Sequence, residues 1–145
     1  MAIEIGERER EGITILSLKG RITAGESSSF RDRIAELVAS GRTKLVLDLA
    51  EIDYIDSTGL GGLVICFTQA QRAGGSLKLL KVNRRNVELL ALTRLHTVFE
   101  VYVEEQDAVN SFFPEREIKK FDVLEFVRQK QAPSTPSNPG GDAVS

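Results

Sequence analysis

An acid, two hydroxyls and a glycine follow one another at Asp56-Ser57-Thr58-Gly59, with Leu60, Gly61 and Gly62 directly after them. A hydroxyl in such company can be a nucleophile, a phosphate acceptor or a hydrogen-bonding cap for a helix. The nucleophile finds little support. A hydrolase elbow reads G-x-S-x-G, and the position two before Ser57 is Ile55 rather than glycine. The single histidine, His96, stands far along the chain beside Leu95, where it reads as a surface or helix-end residue rather than a base. An aspartic-protease loop needs Asp, one hydroxyl residue and then Gly, whereas two hydroxyl residues precede Gly59. Asp53 and Asp56 are close enough for an acid pair or a metal. With no histidine or further ligand at a supporting spacing, a solvated acidic loop is the simpler reading. No phosphate loop or dinucleotide fingerprint occurs, and Gly74-Gly75, followed by a strand-like run, reads as a turn. The residues therefore call for no enzyme, no catalytic residue, no metal and no cofactor.

The elements around the motif favour the other two roles. Leu45, Val46, Leu47 and Leu49 make Lys44 to Ala50 a strand covered on both faces. Glu51, Asp53 and Asp56 then mark a short acidic loop. Leu60, Leu63, Val64 and Phe67 recur at helical spacing, with Ile65 and Cys66 off that stripe, and the helix ends by Gly74-Gly75. Ser57 thus stands where loop becomes helix. Its hydroxyl can cap a free backbone N–H, and a phosphate there faces the positive end of the helix dipole. Gly59, Gly61 and Gly62 each cost roughly 0.5–1 kcal/mol relative to alanine inside a helix. Their missing side chains are expected to clear the surface around Ser57 for another backbone or a kinase active site. Phosphorylation adds about 1.5–2 negative charges at pH 7. The helix start returns roughly 0.3–1 kcal/mol for a nearby anion, so the fold is expected to survive. A docked partner loses a hundredfold in affinity for about 2.8 kcal/mol, which one buried, uncompensated phosphate supplies. The chain reads as a binding module with Ser57 as its switch.

The remaining elements set the fold class. Ile3 and Ile5, then Ile13, Ile15 and Leu18, predict an antiparallel hairpin turning at Arg10-Glu11-Gly12. Gly20 to Gly25 reads as an irregular connection, and Ser27 or Ser28 as the cap of a helix carrying Phe30, Ile34, Leu37 and Val38 and stopped by Gly41. A strand over SLKLLKV, a helix with Val87, Leu90, Ala91 and Leu95, a strand over Val98 to Val103 and a short helix from Glu104-Glu105 complete the series. A hairpin followed by alternating helices and strands predicts an α/β fold, a small mixed sheet of about five strands with about four flanking helices. Arg84-Arg85 fall on a first helical turn, solvated or in contact with an acidic partner. Residues 1–114 make the domain. Residues 115–130 form an appendix, a candidate amphipathic helix, and the Pro/Gly/Ser-rich residues 131–145 a disordered tail.

Net charge is −2 with both signs mixed along the chain, so no nucleic-acid partner is expected. Cys66, the one cysteine, sits in an apolar helical run and reads as a small core residue. The N-terminal sequence lacks a signal-peptide pattern and no run is long enough to span a bilayer. A cytoplasmic location is the default, and no oligomeric state is specified.

The run DYIDSTGLGGL, from Asp53 to Leu63, resembles the signature of STAS domains, named from sulfate transporters and anti-sigma factor antagonists. It is most similar to the free-standing bacterial antagonists, also called anti-anti-sigma factors, and the resemblance spans roughly residues 3–113. It implies that Ser57, the first hydroxyl of D-S-[ST]-G-L-G, is the phosphoacceptor, with Asp56, Thr58, Gly59, Leu60 and Gly61 forming its loop and helix start. The implied function is partner switching. The unmodified protein binds an anti-sigma factor, a serine kinase of the histidine-kinase-like ATPase type, and so frees a sigma factor for transcription. Phosphorylation dissociates the complex, and a serine phosphatase restores the hydroxyl. A second reading is a non-phosphorylated STAS scaffold subunit of a signalling or lipid-transport complex. The chain departs from the family at Gly20-Arg21-Ile22-Thr23, where many antagonists carry an acid in place of Thr23.

Overall fold

The computed structural model describes residues 3–25 and 27–131. Five strands lie in one sheet in the order of the chain: β1 (Glu4–Arg10), β2 (Ile13–Ile22), β3 (Lys44–Ile55), β4 (Ser76–Leu80) and β5 (Val101–Tyr102). β1 and β2 form the expected antiparallel hairpin, and every later pair is parallel. Right-handed crossovers between sequential parallel strands deliver their helices to one face. Accordingly α1 (Ser27–Ala39), α2 (Ser57–Arg72) and α3 (Arg84–Leu92) share one apolar cluster with Leu16, Leu47 and Leu79 of the strands. The opposite face is covered by α4 (Glu105–Asn110), whose Ala108 and Val109 pack with Ile13, Ile15, Val46, Leu80 and Tyr102. Hydrogen bonds from Arg8 and Arg10 to Glu105 tie α4 back to β1. Burial raises the Glu105 carboxyl, but those two hydrogen bonds outweigh it and hold the acid below its ordinary range.

Several elements differ from their sequence reading. The acidic stretch Glu51–Ile55 is not a loop but the second half of β3, paired with Lys19 to Ile22 of β2, so β2 also runs beyond Gly20. Two register shifts occur, between Ser17 and Lys19 and between Gly20 and Arg21, each adding one residue to β3. Each such bulge reverses which face a side chain meets. Leu49, Ile52 and Ile55 therefore all point into the helix-side core at a spacing that matches neither strand nor helix. The last strand is reduced to Val101–Tyr102, and Leu95–Thr97 make a 3-10 turn that holds His96 beyond the end of α3. Ser27 and Ser28 lie inside the first turn of α1 rather than capping it.

After Pro114 the chain crosses the sheet edge, where Phe121 N–H donates to the Val101 carbonyl at 2.8 Å. It then enters α5 (Val123–Gln131), whose Val123 and Val127 are buried in the main cluster. The tail expected from residue 131 lies outside the described residues except for Gln131, which closes α5. Among the described residues no helix is long and apolar enough to cross a membrane.

Cys66 is fully buried against the sheet. Burial pushes its thiol up to about 12, against a smaller downward pull from Arg31. The proton is therefore held in the folded state and released sooner on unfolding. The stability this contributes is whole below the ordinary cysteine value and is lost as pH rises from about 9 toward about 12. Urea unfolding at pH 8 and pH 10 should show the native chain losing about 1 kcal/mol more than a Cys66→Ala chain over that interval. Equal losses would show a thiol that titrates freely.

Candidate functional site

The motif is built on one carbonyl at the end of β2. The Ile22 carbonyl accepts the Asp56 N–H at 3.1 Å, closing the pairing of β2 with β3 at the point where α2 begins. A Cβ on Gly59 would stand 2.0 Å from that same oxygen, so glycine there lets the helix start sit directly on the strand backbone. Asp56 is the N-cap. Its Oδ1 accepts the Gly59 N–H at 2.7 Å and its Oδ2 lies 3.4 Å from the Ala24 N–H, which belongs to the loop after Thr23.

Ser57 is therefore the first residue of the helix rather than its cap, and so is not accounted for by capping. Its side chain is exposed, and among the described residues its hydroxyl makes no hydrogen bond. Thr58 is exposed as well, whereas Leu60 is buried in the core. The glycines also divide. A Cβ at Gly62 would press on the Arg31 side chain at 3.3 Å, and Gly59 sits under β2, so both serve packing. Gly61 alone is exposed with open space where a side chain would stand, so the surface-clearing role expected of all three narrows to this residue. Of the two residues off the helical stripe, Cys66 faces the core and Ile65 is half exposed.

Two asparagines missed in the sequence hold the strand that aims the motif. Asn83 caps α3 by accepting the Asn86 N–H at 2.8 Å, and its Nδ2 donates to the Ile52 carbonyl at 3.0 Å. The buried Asn86 Nδ2 donates to the same carbonyl at 3.3 Å. The Ile52 carbonyl sits at the second bulge, where the ladder is interrupted, and α3 satisfies it. An Asn just before a helical run is a cap signal legible in sequence; its second bond across to β3 is not. α3 also frames a groove of about 290 Å³ beside Ser57, with Tyr54, Asp56, Arg85, Leu89 and Leu92 among its walls. Arg85 stacks over the Tyr54 ring at 5.2 Å, and Arg84 pairs with Glu88 at 3.8 Å.

Among the described residues no histidine stands beside Ser57. His96 lines a separate cavity between the 3-10 turn, β5 and residues 120–124, and Ser57 is not among its walls. Among the described residues no cluster of ligating side chains could hold a metal. What the site offers is a reactive-sized, unbonded hydroxyl on an exposed helix start, bordered by an apolar groove.

A STAS domain profile matches residues 5–108. The chain belongs to the STAS domain family. Among its STAS relatives, the anti-sigma-B factor antagonist of Bacillus subtilis is 28% identical over 109 residues, covering 75% of this chain and 99% of that protein. The crystal structure of an anti-sigma factor antagonist from Mycobacterium paratuberculosis shares the fold with a TM-score of 0.68 at 22% identity, over 75% of this chain and 92% of its own. The Bacillus cell fate determinant SpoIIAA, at 14% identity, shares it with a TM-score of 0.60 in its phosphorylated form, over 76% of this chain and 98% of its own.

The distinct jobs of the STAS motif residues separate in unfolding experiments. Asp56→Ala should cost about 0.5–2 kcal/mol through loss of the cap. Gly59→Ala should cost about 1–3 kcal/mol or more through the clash with Ile22. Gly61→Ala should instead stabilise the chain by about 0.5–1 kcal/mol. Chemical denaturation of the three variants checks the order, and a destabilised Gly61→Ala chain would contradict it.

Proposed function

We propose that this STAS domain is an anti-sigma factor antagonist whose docking is switched off by phosphorylation of Ser57. The observation that carries the reading is the Ser57 hydroxyl itself. It is exposed, relieved of capping by Asp56 and without a hydrogen bond among the described residues, so it can be modified without breaking any contact of the fold. The partner is an anti-sigma factor that is also a serine kinase of the histidine-kinase-like ATPase type. Bound to the unmodified antagonist, it releases its sigma factor to transcription.

The kinase transfers the γ-phosphoryl group of ATP to Ser57 Oγ. The new O–P bond forms as the bond to ADP breaks, and the hydroxyl proton passes to a base on the kinase. The dianion then stands on the docked surface, beside the Asp56 carboxylate and at the positive end of α2. The helix tolerates it and the partner does not, so the complex parts while the scaffold stays folded. A serine phosphatase hydrolyses the ester and resets the hydroxyl. The antagonist acts as a binding module rather than an enzyme, and the pathway operates in the cytoplasm.

Thr58, Gly61 and the exposed part of Asp56 surround Ser57 as the contact surface, while Gly59 and Leu60 act from beneath by fixing the helix start. Incubation with the cognate kinase and radiolabelled ATP should place one phosphoryl group on the native chain and none on Ser57→Ala. Label on another residue would overturn the assignment. Gly61→Leu fills open space at no cost to the fold, yet it should weaken kinase binding tenfold or more in a calorimetric titration. Unchanged affinity would show that the partner docks elsewhere on the domain.

A further inference from the structure

Arg85 lies on the first turn of α3 and borders the same groove as Ser57. Its guanidinium is held over the Tyr54 ring at 5.2 Å, and among the described residues it forms no ion pair with a carboxylate. Its neighbour Arg84 is engaged by Glu88, and Arg8, Arg10, Arg33, Arg42 and Arg116 are all paired to acids elsewhere. The groove thus carries one guanidinium without an ion pair among the described residues, and Ser57, the proposed phosphoacceptor, stands on the same rim.

We propose that Arg85 receives the phosphate of phosphorylated Ser57, so that the modified side chain folds across the groove instead of standing out into solvent. This rests on Ser57 being the phosphoacceptor and adds how the modified state is held. Arg85 donates no hydrogen bond among the described residues, so its N–H groups are free for two parallel bonds to phosphate oxygens. The first N–H groups of α2, at Ser57 and Thr58, have no intrahelical acceptor, and Ser57 lines the groove. Opposing the contact are the carboxylates of Asp56 and Glu88, which also border the groove. Asp56 accepts the Gly59 N–H and Glu88 pairs with Arg84, and neither carboxylate is paired with Arg85.

The contact would change the nature of the switch. In the hydroxyl form the groove presents Tyr54, Leu89 and Leu92 to a partner, Leu92 being 80% exposed. A phosphate drawn onto Arg85 covers that apolar floor with a hydrated charge. Modification then occludes the docking groove as well as repelling whatever approaches Ser57.

The test uses the full chain with phosphoserine installed at position 57 by genetic encoding, followed by phosphorus NMR across pH 4 to 9. The second ionisation of the phosphate should lie at least about half a pH unit lower in the native chain than in Arg85→Gln, with Arg85→Lys between them. Arg94→Gln, which removes a charge beyond the far end of α3, should leave it where the native chain has it. Matching titrations for the native chain and Arg85→Gln would overturn the contact, and so would an equal displacement in Arg94→Gln, which would show only the general field of the protein. Because the phosphate is installed without a kinase, failure here leaves the assignment of Ser57 standing. Failure of the kinase to label Ser57 would remove that assignment while leaving this measurement readable.

Discussion

The Ile22 carbonyl decides where helix α2 begins. It accepts the Asp56 N–H, and it leaves room for nothing larger than hydrogen at the Cα of Gly59. A helix that started one residue earlier or later would drive a side chain into that oxygen or lose the Asp56 cap. The start is therefore fixed by a backbone contact, a cap and a glycine acting together. The side chain at position 57 has no part in the fixing and projects outward. Every functional property inferred for the site follows from that division: Asp56 and Gly59 serve the fold, and Ser57 is left free of structural duty.

A strand that ends in so confined a place has to be aimed. The two bulges of β3 turn its final residues so that Leu49, Ile52 and Ile55 all enter the core, and the ladder loses partners where they occur. At the second of them Asn83 and Asn86 supply partners to the Ile52 carbonyl from α3. The helix that carries Arg85 and Leu92 is thus bound through its first turn to the strand that delivers Ser57. Groove and hydroxyl are two edges of one corner, so a charge placed on the hydroxyl changes the surface that the groove presents. It is felt by whatever occupies the corner from outside.

The hydrophobic periodicities of α1, α2 and α3, the hairpin and the sheltered strand at Leu45 to Leu49 were legible because each rests on local pattern, and the order of elements carried the mixed sheet with them. The second half of β3 was not. Glu51, Asp53 and Asp56 look like a loop, and the inward residues are three apart, a spacing that becomes intelligible only with the bulges of β3 against β2. Three adjacent oxygen-bearing residues are candidates for the cap in the sequence, and only the helix register chooses Asp56. The glycines were read as one device for clearing a surface. Two of them answer to neighbours far away in sequence, Ile22 and Arg31, which no local reading supplies. The place of Ser57 at a helix start is legible in the sequence, but its freedom from hydrogen bonding among the described residues is a fact of three dimensions.

The account stands on a single claim: esterification of Ser57 changes docking and leaves the scaffold as it was. The most direct measurement is calorimetric titration of the anti-sigma factor kinase against the hydroxyl form and the form bearing phosphoserine at position 57. Amide hydrogen exchange on both free forms accompanies it. The account predicts at least a hundredfold loss of affinity with unchanged protection along α2, β3 and β4. Equal affinities, or a loss of affinity accompanied by the opening of α2, would contradict it.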